Sequence, residues 1–419
     1  MTDAPPPLLN WARNVTYRAV RSHRPATLDD LHRTVAENGR IRALGSGHSF
    51  SLVGDTTADL IRLDLLPATV ELDTAAGTAR VSAGMTYARL ATELQRSGLA
   101  LPNLASLPHI SVAGSCATGT HGSGETLRCL AAAVCAVELV GPDGDVLVVG
   151  RDSDPDTFPG TVVALGALGV VTRLTLDVEP AYAVSQRMLV DVPLDAVQER
   201  PDGVFAAGYS VSVFTRWRDG VANVLLKRRT DRSAGQWSQG RPATVPVHPV
   251  PEQSAANCTA QLDQPGPWHE RLPHFRPEYV PGSGRELQSE YFVPRDRAGA
   301  AIAAVRQVGE LLAPVLQISE LRSVRGDDLW LSPAYGRDSV TLHFTWVDDL
   351  AAVLPVIGAV EARLRPLQAR PHWGKLTTIP PDEIVAAYPR ATDFHKLKNA
   401  LDPDGKFRNS FVDALFLHG

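Results

Sequence analysis

Ile41-Arg42-Ala43-Leu44, running straight into Gly45-Ser46-Gly47-His48-Ser49-Phe50, is the stretch on which the fold turns. The first four residues read as a short buried strand. It opens into a loop whose glycines permit close backbone approach to a ligand. The loop begins like G-x-G-x-x-G, but Phe50 stands where the third glycine belongs and no clear βαβ unit with a ribose-binding acid follows, which disfavours a Rossmann site. The chain also contains no G-x-x-x-x-G-K-[ST] phosphate loop. On these residues alone, the loop is either a tight turn with His48 capping a backbone group or a cofactor cradle.

Working outward, Thr27 with an acid at Asp30 predicts a helix start, and the helix should run to about Asn38. A strand follows at about Ala58 to Leu63, then a hairpin from Thr69 to Ser82 turning near Ala76-Gly77. Tyr87 to Ser97 has helical apolar spacing. After it, LPNLASLPHISVAGSCATGTHGSG (Leu101 to Gly124) is rich in Gly, Ser and Thr and poor in charge, so its backbone N–H groups are open to anionic oxygens. Ser106, Ser111, Gly114, Gly119, Thr120, His121 and Gly122 would offer neutral donors to a diphosphate without any lysine; close packing of small residues is the plain alternative. Strands at Cys135 to Val140 and Val146 to Val149, joined by Gly141-Pro142-Asp143-Gly144, and the run Val163 to Leu176 close a first domain.

From about Ala181 the composition shifts to longer strands and helices with Pro-rich loops, notably Pro242 to Pro251, and a second domain is placed there. Glu320 and Arg322 are two residues apart in one predicted strand, as are His343 and Thr345 in the run Ser339 to Val347, so each pair shares a face. Leu342, Phe344 and Trp346 take the opposite, apolar face. If the strands are neighbours, the polar faces form a floor of acid, guanidinium, imidazole and hydroxyl able to grip adjacent hydroxyls. Spacing alone favours the plainer reading, a surface ion pair and a solvated His343. His269-Glu270 followed by His274 misses H-E-x-x-H by one place and Pro273 would break the helix, so no metal site is expected.

The bulk properties set bounds. The 419 residues, 44% hydrophobic and 21% charged, suffice for two packed domains, and a net charge of -5 without a basic stripe argues against a nucleic-acid partner. MTDAPPPLLNWARN has no export signal, and the longest apolar runs, such as Ala351 to Val360, are too short to span a membrane. Cys116, Cys129, Cys135 and Cys258 form no CxxC pair and suit a reducing compartment. The expectation is a cytoplasmic monomer.

With these residues in hand, the chain resembles the alditol oxidases, within the vanillyl-alcohol-oxidase type of flavoprotein, over nearly its whole length. The resemblance rests on GSGHSFS (Gly45 to Ser51), the Leu101 to Gly124 stretch, ALGALGVVT (Ala164 to Thr172), PGPWHERLPHF (Pro265 to Phe275), LSPAYGRD (Leu331 to Asp338) and RPHWGK (Arg370 to Lys375). It implies an α+β, two-domain fold: an FAD-binding domain over 1–180, a substrate-binding domain with an antiparallel sheet over 181–374, and a C-terminal segment, 375–419, that returns to the FAD domain. It implies FAD attached covalently to His48 through the 8α-methyl group of the ring. Gly45, Ser46, Gly47, Ser49, Ser106, Ser111, Gly114, Gly119, Thr120, His121, Gly122, Gly169, Val170, Val171, His372 and Lys375 are implied to hold the cofactor. Ser106, Glu320, Arg322, His343, Thr345 and Lys375 are implied to line a polyol pocket, with Lys375, Arg322, His343 and Glu320 closest to the chemistry. The implied reaction oxidises the terminal CH2OH of a polyol such as xylitol or sorbitol to the aldose and reduces O2 to hydrogen peroxide. His343, a neutral Lys375 or a water are the alternative proton acceptors, and a sugar-lactone oxidase or dehydrogenase is the alternative activity. Cys116 departs from the pattern, standing in the flavin loop where a small residue such as Val is expected.

Overall fold

The structure, a computed structural model, describes residues 7–279 and 285–417; the opening MTDAPP, part of the stretch read for an export signal, lies outside them. The predicted first helix spans Leu28–Glu37, because Thr27 accepts a hydrogen bond from the Asp30 backbone N–H and Asp29 and Asp30 lie in its first turn. Leu31 and Val35 bury its apolar stripe against Ile41 and Ile61. Ile41–Leu44 pairs in parallel with Asp59–Arg62, which pairs in parallel with Arg21–His23 on its other edge. The hairpin forms as Val70–Asp73 and Thr78–Ser82. Gly77 takes φ +66 in its turn, and the Asp73 carboxylate accepts from the Ala75 and Ala76 backbone N–H groups. This hairpin edges a five-stranded sheet in the order Val70–Asp73, Thr78–Ser82, Val170–Asp177, Val134–Val140, Val146–Gly150.

One position holds these pieces in register. Arg42, 2% exposed, donates to the carbonyls of Val53, Leu165, Gly166 and Phe407, segments drawn from the length of the chain. Burial lowers its guanidinium to about 10. The C-terminal segment lies on the same unit: Lys406 Nζ donates to the Val35 and Pro142 carbonyls, and Asn409 Nδ2 to those of Leu52, Val53 and Asp55. Arg42→Met would strand the carbonyls of Leu165, Gly166 and Phe407, while Val53 keeps Asn409 as its donor, for an expected loss on the order of 3 kcal/mol; the midpoint of thermal unfolding checks it.

The second half is dominated by a sheet of nine strands among the described residues. Its order is Arg241–Pro242, Ala183–Pro193, Val221–Arg229, Ser210–Thr215, Leu316–Val324, Ser339–Trp346, Leu287–Pro294, Arg370–Pro371, with Gly266–Pro267 also on Ala183–Pro193. Strand alternation divides its residues as expected. Leu342, Phe344 and Trp346 are fully buried on one face, and the Phe344 and Trp346 rings stack at 5.2 Å. Helices Ala298–Arg306 and Leu350–Leu364 cover this sheet and each other. The opposite face is polar where the pairs run Ser212↔Arg322, Glu320↔His343 and Gln288↔Thr345. The chain is therefore α+β.

One local expectation is corrected. The Leu101 to Gly124 stretch is not all loop: Val112–Ala117 forms a short helix, because Val112 and Cys116, four residues apart, both bury in the core. The Cys116 thiol meets the Tyr87 hydroxyl at 3.7 Å, so the unexpected residue faces away from the cavity described below. His269 and Glu270 sit in a 3-10 turn, Trp268–Glu270, which excludes the paired-histidine helix of a zinc protease.

Candidate functional site

A cavity of about 870 Å³ lies between the glycine-rich loops and the polar face of the large sheet. That volume is at the upper end for sites that take a small molecule or cofactor. Its first wall is built by the two loops, which interlock: Ser111 N–H donates to Ser46 Oγ at 3.1 Å, and Ser46 N–H reaches Ser111 Oγ at 3.4 Å. A Cβ on Gly45 or Gly114 would approach Ser111 Oγ to 2.4 or 2.7 Å, so glycine is required for the loops to pack this closely. Gly47 takes φ +68, a turn conformation that presents His48. The His48 ring stacks on Trp11 (5.3 Å, 15°) with Nδ1 3.2 Å from the Ser46 carbonyl, and burial lowers its imidazole to about 4.

The RPHWGK segment is laid across this loop. Phe50 N–H donates to the Gly374 carbonyl at 2.7 Å, Ser51 Oγ to that of Trp373 at 2.7 Å, and Lys375 Nζ lies 5.2 Å from the centre of the Phe50 ring. Two stretches more than 300 positions apart thus form one rim. Lys375 also donates to Gln288 Oε1. Burial lowers its ammonium to about 8, although Glu290 pulls the other way.

The floor is formed by two neighbouring strands, Leu316–Val324 and Ser339–Trp346, with Glu320 directly opposite His343. Glu320, Arg322, His343 and Thr345 all line the cavity and are each no more than 8% exposed, which rejects a solvated surface pair. Arg322 and Glu320 approach to 3.7 Å, and His343 Nε2 lies 3.2 Å from Thr345 Oγ1. Two polar atoms in this floor, Arg322 Nε and His343 Nδ1, have no hydrogen-bond partner within the chain. Buried polar atoms left in this way mark where hydroxyls of a ligand would bind.

Sequence reasoning missed the group that organises the floor. Glu290, 1% exposed on the strand Leu287–Pro294, sits opposite His343 from the other side and accepts from Arg322 at 2.5 Å and from His121 Nε2 at 3.1 Å; His343 Nδ1 is 3.5 Å away. Burial alone would raise the Glu290 carboxyl, but Arg322 and His121 outweigh it and hold it well below the usual carboxylate range. Burial likewise opposes ionisation of Glu320, yet Arg322 and His274 hold its carboxyl below the ordinary range. Gln288, Glu286 and His274 also line the cavity and were not anticipated. The alternation of Gln288 and Glu290 within apolar LQSEYFVP was the available signal.

Most of the anticipated residues converge here. Gly45, Ser46, Gly47, His48, Ser49, Ser106, Ser111, Gly114, Thr120, His121, Gly169, Val171, His372 and Lys375 line the cavity with the four floor residues. Gly119, Gly122 and Val170 do not. Val170 is fully buried with Ile41, Ile61 and Phe407. Gly119 abuts Pro333 and Gly122 abuts Asn103, where a Cβ would collide at 2.8 and 2.1 Å, so they are required for packing behind the loop.

Residues 19–150 match the family model described as an FAD binding domain, and residues 284–415 match that of D-arabinono-1,4-lactone oxidase. The chain is 52% identical to an alditol oxidase of Streptomyces sp. (strain IKD472 / FERM P-14339) over 97% of its length and 98% of that protein. It is 28% identical to L-gulono-1,4-lactone dehydrogenase of Mycobacterium tuberculosis, covering 94% of each, and 24% identical to L-gulonolactone oxidase of Mus musculus, covering 97% of each. Among solved structures, cholesterol oxidase from B. sterolicum superposes with a TM-score of 0.77 at 15% identity, covering 98% of this chain and 96% of that one.

Proposed function

The chain belongs to the alditol oxidase family, with the two-domain α+β fold of the vanillyl-alcohol-oxidase-type flavoproteins, and from that premise we propose that it oxidises the terminal CH2OH of alditols such as xylitol and sorbitol to the aldose, with reduction of O2 to hydrogen peroxide. The single observation that carries this reading is the floor of Glu320, Arg322, His343 and Thr345, closed by Lys375, facing the interlocked glycine loops across one cavity. A polar, hydroxyl-binding floor suits a polyol, and the two loops with their glycine-dependent contact suit FAD. When bound, FAD supplies the two-electron acceptor for the alcohol and the means of passing those electrons to oxygen.

His48, presented by the left-handed Gly47 and held flat on Trp11, is assigned the covalent link to FAD. Gly45, Ser46, Ser49, Ser111, Gly114 and Thr120 would line the cofactor with neutral donors. On the substrate side, Ser106, Glu320 and Thr345 would hold the hydroxyls that do not react, which orients one end of the polyol. Arg322, whose Nε is free, and Lys375 would supply positive charge beside the reacting hydroxyl. His343 is assigned the proton from that hydroxyl. Burial and the nearby Lys375 hold its imidazole below the ordinary value, so it is neutral and able to accept.

This assignment has a definite pH signature. Lys375 is needed as the cation, so its contribution is complete well below about 8 and lost as pH rises through it. The expected kcat/KM for xylitol therefore falls on the alkaline side with an apparent value near 8, and Lys375→Arg, which stays charged, moves that limb to higher pH. An unmoved limb would remove Lys375 from this role.

Peroxide formation by the purified protein with xylitol, sorbitol, mannitol, glycerol and an aldonolactone tests the activity. Turnover of the open-chain polyols with little on the lactone is expected; preference for the lactone would favour the sugar-lactone oxidases instead. We further propose domains at 1–180 and 181–374 with a returning segment 375–419, and a cytoplasmic monomer. The four unpaired thiols support the location, and light scattering checks the state of assembly.

A further inference from the structure

Behind the substrate floor lies a second buried polar group that the chemistry above does not use. Lys227, 1% exposed on the strand Val221–Arg229, points its ammonium into the turn that precedes His274. It donates to the carbonyls of Arg271 (2.8 Å), Leu272 (2.5 Å) and Pro273 (3.1 Å), and lies 3.2 Å from His274 Nδ1. Glu320 Oε1, 2.8 Å from His274 Nε2, is a carboxylate oxygen and can only accept, so the ring proton sits on Nε2, and Nδ1 is the acceptor that shares one of the three Lys227 N–H donors with the carbonyls of the turn. The backbone of the same residue reaches the other side of the site: His274 N–H donates to the Ser106 carbonyl at 3.1 Å. Its own carbonyl is held by the Thr259 N–H at 2.9 Å, and Thr259 Oγ1 is bonded by Gln186 Nε2 at 2.7 Å.

We propose that Lys227 and His274 form a brace: Lys227 fixes the turn and faces the unprotonated Nδ1 of His274, and His274 in turn fixes Glu320 through its side chain and Ser106 through its backbone. Both are positioning residues, because each acts through a group in the floor. The inference rests on the reading of Glu320 and Ser106 as holders of substrate hydroxyls. The side chain of His274 keeps one oxygen of Glu320 occupied and the carboxylate plane aimed. The other oxygen is thereby presented to the ligand. The three carbonyls of one turn solvate the Lys227 ammonium in place of water, while burial lowers it to about 7.

The test uses the flavin-loaded enzyme and three variants. His274→Gln keeps an amide donor near the place of Nε2, His274→Phe removes it, and Lys227→Met removes the anchor at similar length. Flavin absorbance and the thermal midpoint verify the fold in each. With xylitol, His274→Phe is expected to raise KM about tenfold with kcat within about threefold, while His274→Gln stays within about threefold on both. Combined with Glu320→Gln, His274→Phe should add little further to KM, as coupled residues do. Phe and Gln variants that behave alike, or full additivity with Glu320→Gln, would overturn the brace. Independently of turnover, nitrogen NMR of 15N-histidine-labelled enzyme should show His274, assigned by its loss in His274→Gln, as the Nε2–H tautomer, and Lys227→Met, which removes the donor facing Nδ1, should shift the Nδ1 resonance while the proton stays on Nε2. A His274 resonance that is Nδ1–H, or that ignores Lys227→Met, rejects the proposal. If the unmodified enzyme fails to oxidise xylitol, the polyol reading fails while the NMR result still decides the brace.

Discussion

Glu290→Leu is expected to have the largest effect of any single substitution in the site: a loss of about 3–5 kcal/mol in stability and no measurable polyol turnover. The reason is the arithmetic of buried charge. Glu290 accepts from Arg322 and His121, and all three side chains are removed from water, so deleting the carboxylate leaves a guanidinium deep in the protein with only Glu320, 3.7 Å away, to answer it. Glu290→Gln separates the two consequences. It preserves the shape and one acceptor oxygen, so the fold should survive, while the loss of charge should lower kcat/KM on the order of a hundredfold through a misplaced Arg322 and His343. Chemical or thermal unfolding beside steady-state kinetics measures both. The pH dependence follows from the same contacts. The Glu290 and Glu320 carboxyls are held below their ordinary range, so their stabilisation is complete above about 4.3, the usual unfolded value, and is lost as pH falls toward their folded values. Glu290→Gln should therefore unfold with a flatter dependence on acidification than the unmodified protein.

His48→Ala is expected to abolish the covalent attachment of FAD and to lower turnover on the order of a hundredfold, the usual cost of a loosely placed reacting centre. His48 is the residue of the first glycine loop that combines a nucleophilic ring, a fixed orientation on Trp11 and a place in the cavity wall. Intact mass of the denatured polypeptide reads the outcome: the unmodified protein should carry the mass of one FAD and the variant none. His48→Ala protein that still carries the added mass would move the link elsewhere.

The parts of this site that were legible in advance are those set by local chemistry. The glycine loop announces itself because Gly45, Gly47 and Gly114 stand where the backbone must turn left-handed or pass close to a serine. The floor residues Glu320, Arg322, His343 and Thr345 follow from the period of two in a strand, but only once Leu316–Val324 and Ser339–Trp346 are known to be neighbours, which no spacing reveals. Glu290 was lost for the same reason: its strand meets His343 by a pairing across more than fifty residues. His274 was read against a zinc motif and set aside, because its partners, Lys227 and Glu320, come from strands on either side of it in the chain. Gly119, Gly122 and Val170 share the composition of the loop residues, yet packing turns them inward. Composition cannot distinguish a glycine that admits a ligand from one that admits a proline or an asparagine.

Anaerobic mixing of the purified yellow protein with xylitol, followed by admission of air, tests the central claim most directly. The account predicts that the flavin absorbance bleaches on addition of the polyol and returns with oxygen, leaving hydrogen peroxide and an aldose in equal amounts. Absorbance unchanged by xylitol and sorbitol, in protein that carries its full complement of FAD, would contradict it.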